Sequence, residues 1–144
     1  MSLVSELIAR LKPGGGEDAF ALVEGATEFA AIDSVPTAMP AAYVMTLREA
    51  SDANSRATGR VLQRLEADIA VVIITSNLSD VPGSAVSSDV EDLKAWVRGR
   101  LVGYEAPSSA DPIEHVSGEL LKTKNGTVWF EDVFGAASYL TENS

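Results

Sequence analysis

"RVLQRLEADIAVVIIT", Arg60 to Thr75, is the stretch on which the fold turns. Its Leu, Gln, Arg, Glu and Ala residues favour helix, and on propensity alone it reads as one. Periodicity says otherwise. Val61, Leu65, Ala67, Ile69, Val71 and Ile73 share one face of an extended chain, and Arg64, Glu66 and Asp68 share the other. That second face turns apolar at Ala70, Val72 and Ile74. The pattern predicts a long strand, half exposed where it begins and buried on both faces where it ends. The density of β-branched residues supports it.

The flanking segments extend this reading. "AYVMTLRE", Ala42 to Glu49, alternates Tyr43, Met45 and Leu47 with Val44, Thr46 and Arg48, a second strand. Between the two lies "ASDANSRATG", Ala50 to Gly59, small, polar and without apolar period, expected to be a flexible loop over about 50–60. Arg48, Arg56, Arg60 and Arg64 gather around it, and they can serve as solvated loop charges or as a docking surface that orders against a partner. Downstream, "SNLSDVPGSAVSS" reads as loop and "SDVEDLKAWVRGRLVGY" as the clearest helix. Ser88 or Asp89 can cap that helix, Val90, Leu93, Trp96, Val97, Leu101 and Val102 form its stripe, and Gly103 ends it. Acidic residues in its first turn and Arg98 and Arg100 near its end suit the helix dipole.

A hairpin closes the chain. Asn125-Gly126 is a strong two-residue turn signal between "HVSGELLKT" and "TVWFEDVFGAASYL". At the other end, "SLVSELIARLK" has helical spacing, a cap at Ser2 and a stop at Pro13 and Gly14–Gly16. The glycine run lacks the Lys-Ser/Thr of a phosphate loop and follows a helix, not a strand. "AFALVEG" suggests a short strand over Phe20 to Glu24, and "ATEFAAI" a brief helix capped near Thr27. The elements together predict a single α/β or α+β domain spanning 1–144, with a long-stranded sheet, two or more helices and one prominent polar loop.

Composition narrows the chemistry. The chain of 144 residues has an apolar fraction of 46%, enough for a core of its own. It has no cysteine and one histidine, which excludes disulfides, thiolate zinc sites, cysteine nucleophiles and multi-histidine metal sites within one chain. A formal net charge of −10 repels phosphate, so sequence-specific nucleic-acid binding is not expected. An acidic ring lumen would nonetheless let DNA pass without sticking. The start is unlike a signal peptide, and the longest apolar run, Ile69 to Ile74, is too short to span a bilayer. A soluble, cytoplasmic protein without membrane contact is expected.

Catalytic constellations are missing. His115 stands in no motif and reads as a structural or surface histidine. Glu131 and Asp132 are adjacent on a strand and point to opposite faces. Only Glu119 across the hairpin offers Glu131 a carboxylate pair, and exposure is the plainer expectation for it. Trp129 and Phe130 divide between the two faces in the same way, leaving one for the core and one for a helix or a neighbouring subunit. "VPGSAVSS" is not a nucleophile elbow, and Asn77-Leu78-Ser79 and Asn125-Gly126-Thr127 match glycosylation acceptors by chance. No catalytic residue, cofactor or metal is expected, and the role reads as non-enzymatic.

The order of features resembles that of the bacteriophage tail terminator, or tail completion, protein family. "LIARLK" is followed by "ALVEGATEFAAI", "PAAYVMTLRE", a polar loop and "VLQRLEADIAVVIITSN", then by "DVEDLKAWVRGRLVGYEAP" and "GELLKTKNGTVWFEDVFGAASYL". The resemblance covers nearly the whole chain and rests on pattern and order. It implies an α+β fold, a mixed and largely antiparallel sheet flanked by two or three helices, and a structural virion protein that forms a homo-oligomeric ring, usually a hexamer, on the head-proximal end of the tail tube. Such a ring stops tube polymerisation and presents a surface to a neck or head-completion protein, and in contractile tails it also meets the sheath protein. It implies residence in the virion tail or neck, and in the host cytoplasm during assembly. On this reading Arg48, Arg56, Arg60, Arg64, Trp129 and Glu131 are candidate interface residues. Three alternatives stay open: another neck or tail connector component, a module that binds a host protein, and a small carboxylate-based hydrolase.

Overall fold

The strand read from Arg60–Thr75 exists. In a computed structural model that describes residues 2–76, 86–124 and 126–142, with the side chains of 86–89 left aside, it is β3, Leu62–Ser76. The other elements are α1 (Leu3–Arg10), β1 (Leu22–Glu24), α2 (Ala26–Ala30), β2 (Ala41–Ser51), α3 (Val86–Leu101), β4 (Glu114–Lys124) and β5 (Thr127–Thr141). One five-stranded sheet has the order β1-β2-β3-β5-β4. β1 pairs with β2 in parallel and every other pair is antiparallel. The chain is therefore a single α+β domain with three helices among the described residues.

The double periodicity of β3 reflects two cores. Ile69, Val71 and Ile73 join Ala42, Val44 and Phe134 beneath Leu7 and Leu11 of the α1 segment and Leu93, Val97 and Leu101 of α3. Val72 and Ile74 lie on the opposite face with Ala41, Tyr43 and Trp129, beneath Phe29, Ile32 and Met39. Each fully buried Leu or Ile there contributes about 1.5–3 kcal/mol of transfer free energy. Phe29 supplies edge contacts to Tyr43 and Trp129, at 5.5 and 6.2 Å between ring centroids. The first half of β3 carries no such double cover and is half-buried, and all of β4 and the far end of β2 stand exposed.

Local chemistry explains the ends. Ser2 accepts from Ser5 N at 3.1 Å and caps α1. Beyond α1, Gly14, Gly15 and Gly16 all have positive φ, and Gly14 N donates to Asp18 Oδ1 at 3.1 Å. The cap of α2 is Gly25, not Thr27: the Glu28 carboxylate accepts the Gly25 N–H at 2.9 Å and starts the helix two residues earlier than predicted. α3 begins at Val86, so Ser88 and Asp89 lie within it and do not cap it, and its cap falls outside the described residues. Val102, placed on its stripe by spacing, is 50% exposed because the helix has ended and Gly103, φ +82, turns the chain away. Gly126, φ +78, shapes the β4–β5 turn as expected; of the predicted loop over 76–88, Ser76 ends β3 and 86–88 belong to α3, while 77–85, with the glycosylation-like Asn77, and Asn125 lie outside the described residues.

α1 and α3 are joined end to end. Arg10 Nε donates to Arg100 O at 2.9 Å, and Arg100 Nε and Nη2 donate to Arg10 O at 3.1 and 2.9 Å. Each arginine satisfies a C-terminal carbonyl of the other helix, where the backbone lacks partners of its own. Buried Glu6 completes the joint by accepting from Ser108 N and Oγ.

Candidate functional site

Among the described residues, three of the four clustered arginines have no carboxylate partner and one is ion-paired, and Arg56 Nη1 donates only to Arg60 O, at 3.5 Å. Arg48 on β2 and Arg56 and Arg60 in the connecting loop are exposed, and among the described residues none has a carboxylate within ion-pair distance. Arg64 instead donates to Asp111 and, at 3.3 Å, to Glu66. The Asp111 hydrogen bond first, and that to Tyr139 second, hold its guanidinium above the usual arginine range. The loop carrying Arg56 and Arg60 is hydrogen-bonded. Asp52 N donates to Arg64 O and Ser55 N to Leu62 O, while Asn54 Oδ1 accepts from Arg56 N and Leu62 N at 3.2 and 2.9 Å. Glu142 reaches across to accept from Val61 N at 3.0 Å. The cations are thus displayed from a built turn at the tip of the β2–β3 hairpin.

On the hairpin, Glu131 and Asp132 do point to opposite faces, and their fates differ. Glu131 is half-buried and stands opposite Glu119 on β4, the carboxylate pair that spacing allows. Asp132 is fully buried on the α3 side. Arg98 clasps it through Nε–Oδ2 and Nη2–Oδ1, both 2.9 Å, and His115 Nε2 lies 2.7 Å from Oδ1. The Asp132 hydrogen bonds raise the Arg98 pKa. Gly118 makes the clasp possible, because a Cβ there would lie 3.0 Å from Phe130 Cζ and 3.1 Å from both the Arg98 and Asp132 contact atoms. Arg98 and Arg100, explained from sequence by the helix dipole alone, therefore each have a specific partner. His115 is a structural ligand of this cluster, stacked edge-on against Phe134 at 5.4 Å.

Trp129 lies largely within the monomer. It is 6% exposed, with its indole N–H donated to Thr127 Oγ1 at 3.0 Å and Lys122 Nζ 4.1 Å above its ring. Phe130, on the opposite face, is covered by Lys94 Nζ at 4.2 Å. Both aromatics are thus used inside the monomer, and what the hairpin leaves open is β4, every residue of which is exposed.

An open concavity of about 230 Å³ is lined by Arg64, Asp68, Asp111 and Glu114 around Gly135. Its arginine is already paired with Asp111. Among the described residues no group of three or more His, Asp or Glu side chains is placed to hold a metal ion. Nor is any helix there long and apolar enough to cross a membrane.

Fold and surface together define a small α+β domain with two open sheet edges and a displayed cationic turn, the attributes of an assembly component. The sequence model of the phage tail terminator protein matches residues 4–144, and the chain belongs to that family. It is a phage tail structural protein and a virion component. In fold it is similar to a chain from the virion of a native gene transfer agent (GTA) particle, with a TM-score of 0.61 and 19% identity over 96% of each chain. No curated protein sequence matches it.

Proposed function

We propose that the chain closes into a homo-hexameric ring on the head-proximal end of the tail tube, stops tube polymerisation there, and offers its outer surface to a neck or head-completion protein. The observation that carries this reading is the family match over residues 4–144. Physical features support it. A closing ring needs a heterologous interface, in which one patch meets a different patch on the next copy. An acidic body of net charge −10 with Arg56 and Arg60 displayed at one hairpin tip and Arg48 exposed on β2 has two unlike patches. The same acidity suits a lumen that DNA traverses without binding. Contact with a sheath protein belongs to this reading if the tail is contractile.

The test is electron microscopy of tails assembled with the wild-type chain and with an Arg56→Glu/Arg60→Glu variant. Both side chains are exposed and lie outside the core, so the variant should keep the wild-type circular dichroism spectrum and unfolding midpoint. Loss of the terminal ring from tails made with it is the expected result. Undiminished rings would remove the arginine turn from the interface.

A further inference from the structure

The two edges of the sheet match each other. β2 is antiparallel to β3, β3 to β5 and β5 to β4, so β2 and β4 run in opposite directions. β1 covers β2 only over Ala41–Tyr43, which leaves the outer edge of β2 open from Val44 onward, and β4 has a neighbour on one side only. One row of paired residues crosses the whole sheet: Arg48–Asp68–Gly135–Glu114. Arg48 ends this row at one edge and Glu114 at the other, both exposed and neither in an ion pair among the described residues. Beside the row both edges carry a register shift, between Thr46 and Arg48 on β2 and between His115 and Ser117 on β4. The residues left between, Leu47 and Val116, are 48% and 52% exposed. Leu47 falls between the Arg48 and Thr46 rows and Val116 one row further along, between the Thr46 and Met45 rows, so each edge offers a kink, an exposed aliphatic side chain and, in the shared row, a charge of opposite sign.

We propose that the open edge of β2 over Val44–Arg48 in one copy pairs antiparallel with Glu114–Gly118 of β4 in the next, with Arg48 beside Glu114, so that the sheet continues from copy to copy while β4 beyond Gly118 passes clear of β1, which already holds Ala41–Tyr43. This rests on the ring reading above and names the contact that closes it. The pairing is heterologous, which is what a ring requires. It satisfies backbone groups that an open edge leaves without partners. Opposite charges facing across strands favour this register. Self-pairing of β4 about a two-fold axis centred on Glu119 would set that carboxylate against its own copy and leave the β2 edge unused.

The chain has no cysteine, so a cross-link between introduced thiols is free of background. Residues directly opposite in an antiparallel pair have Cα atoms about 4.5–5.5 Å apart, within disulfide range. Mild oxidation of the Arg48→Cys/Glu114→Cys variant, purified and in assembled tails, should give a ladder of covalent multimers ending at the closed ring. Each single variant should stay monomeric on a non-reducing gel. In parallel, Arg48→Glu should weaken self-association at least about tenfold, and Glu114→Arg added to it should restore association. Rings seen by microscopy with neither ladder nor rescue would overturn the edge pairing and leave the ring reading standing. Covalent dimers from Glu114→Cys alone would overturn it in favour of β4 self-pairing. Absence of rings and of ladder, both in solution and on tails, would overturn both readings.

Discussion

Replacing Arg98 with methionine should destabilise the fold more than altering the acid it holds. Asp132 is fully buried, and Arg98 supplies two of its three close polar contacts. Arg98→Met keeps the aliphatic stem and removes the guanidinium, leaving a buried carboxylate with His115 alone. Breaking a buried pair in this way costs roughly 3–5 kcal/mol. The Arg98 side chain is itself 38% exposed, so water reaches part of the vacated space and the lower end, about 3 kcal/mol, applies. Asp132→Asn keeps the volume and one acceptor and lets Arg98 turn to water, and its cost should be about 1–2 kcal/mol. For a chain of this size about 3 kcal/mol lowers the thermal midpoint by roughly 6–12 °C. Equilibrium urea unfolding, with the slope checked for constancy, measures both. The double variant should return close to Asp132→Asn alone, because no orphaned charge remains. An Arg98→Met protein within about 0.5 kcal/mol of wild type, or one more stable than Asp132→Asn, would refute the reasoning.

Other consequences are simpler. Gly118→Ala should cost about 1–3 kcal/mol, since its Cβ meets Phe130 Cζ at 3.0 Å and two atoms of the clasp at 3.1 Å, and the loss should shrink when Asp132→Asn is already present. Arg100→Gln should loosen the α1–α3 joint, seen as faster amide exchange in Leu3–Arg10 with little change in β3, because the Arg10 carbonyl loses both donors. Phe134→Ala should cost about 3–5 kcal/mol by denaturant unfolding, as a fully buried ring lying between β3 and β4 beneath α3.

The strands were legible because their surroundings impose period two on the residues. In β3 the switch at Ala70 from polar to apolar on the second face marks where that sheet face comes under cover, and Val72 and Ile74 are buried there as the alternation requires. The β4–β5 hairpin was legible from its turn. The order of strands was not. Nothing in "HVSGELLKT" says that this strand is an exposed edge while its partner β5 runs through the middle. The Asp132 clasp was missed because its members are separated by 34 and 17 residues and each had a sufficient local explanation. Helix-dipole arguments accounted for Arg98, and strand alternation placed Asp132 on a face without saying which was buried. One signal was available. Asp132 shares its strand parity with Phe130 and Phe134, and a carboxylate on a core-facing parity requires a cation nearby. Alternation left open which of Trp129 and Phe130 enters the core, and Trp129 became a candidate interface residue because α2, which helps cover it, is too short to announce its docking site in sequence.

Tube length tests the central claim most directly. Tails assembled with the chain and without it are imaged by negative-stain electron microscopy and their tube lengths measured. The terminator reading predicts a single narrow length with the chain present and overlong tubes of scattered length when it is withheld. The same narrow length in both preparations would contradict it.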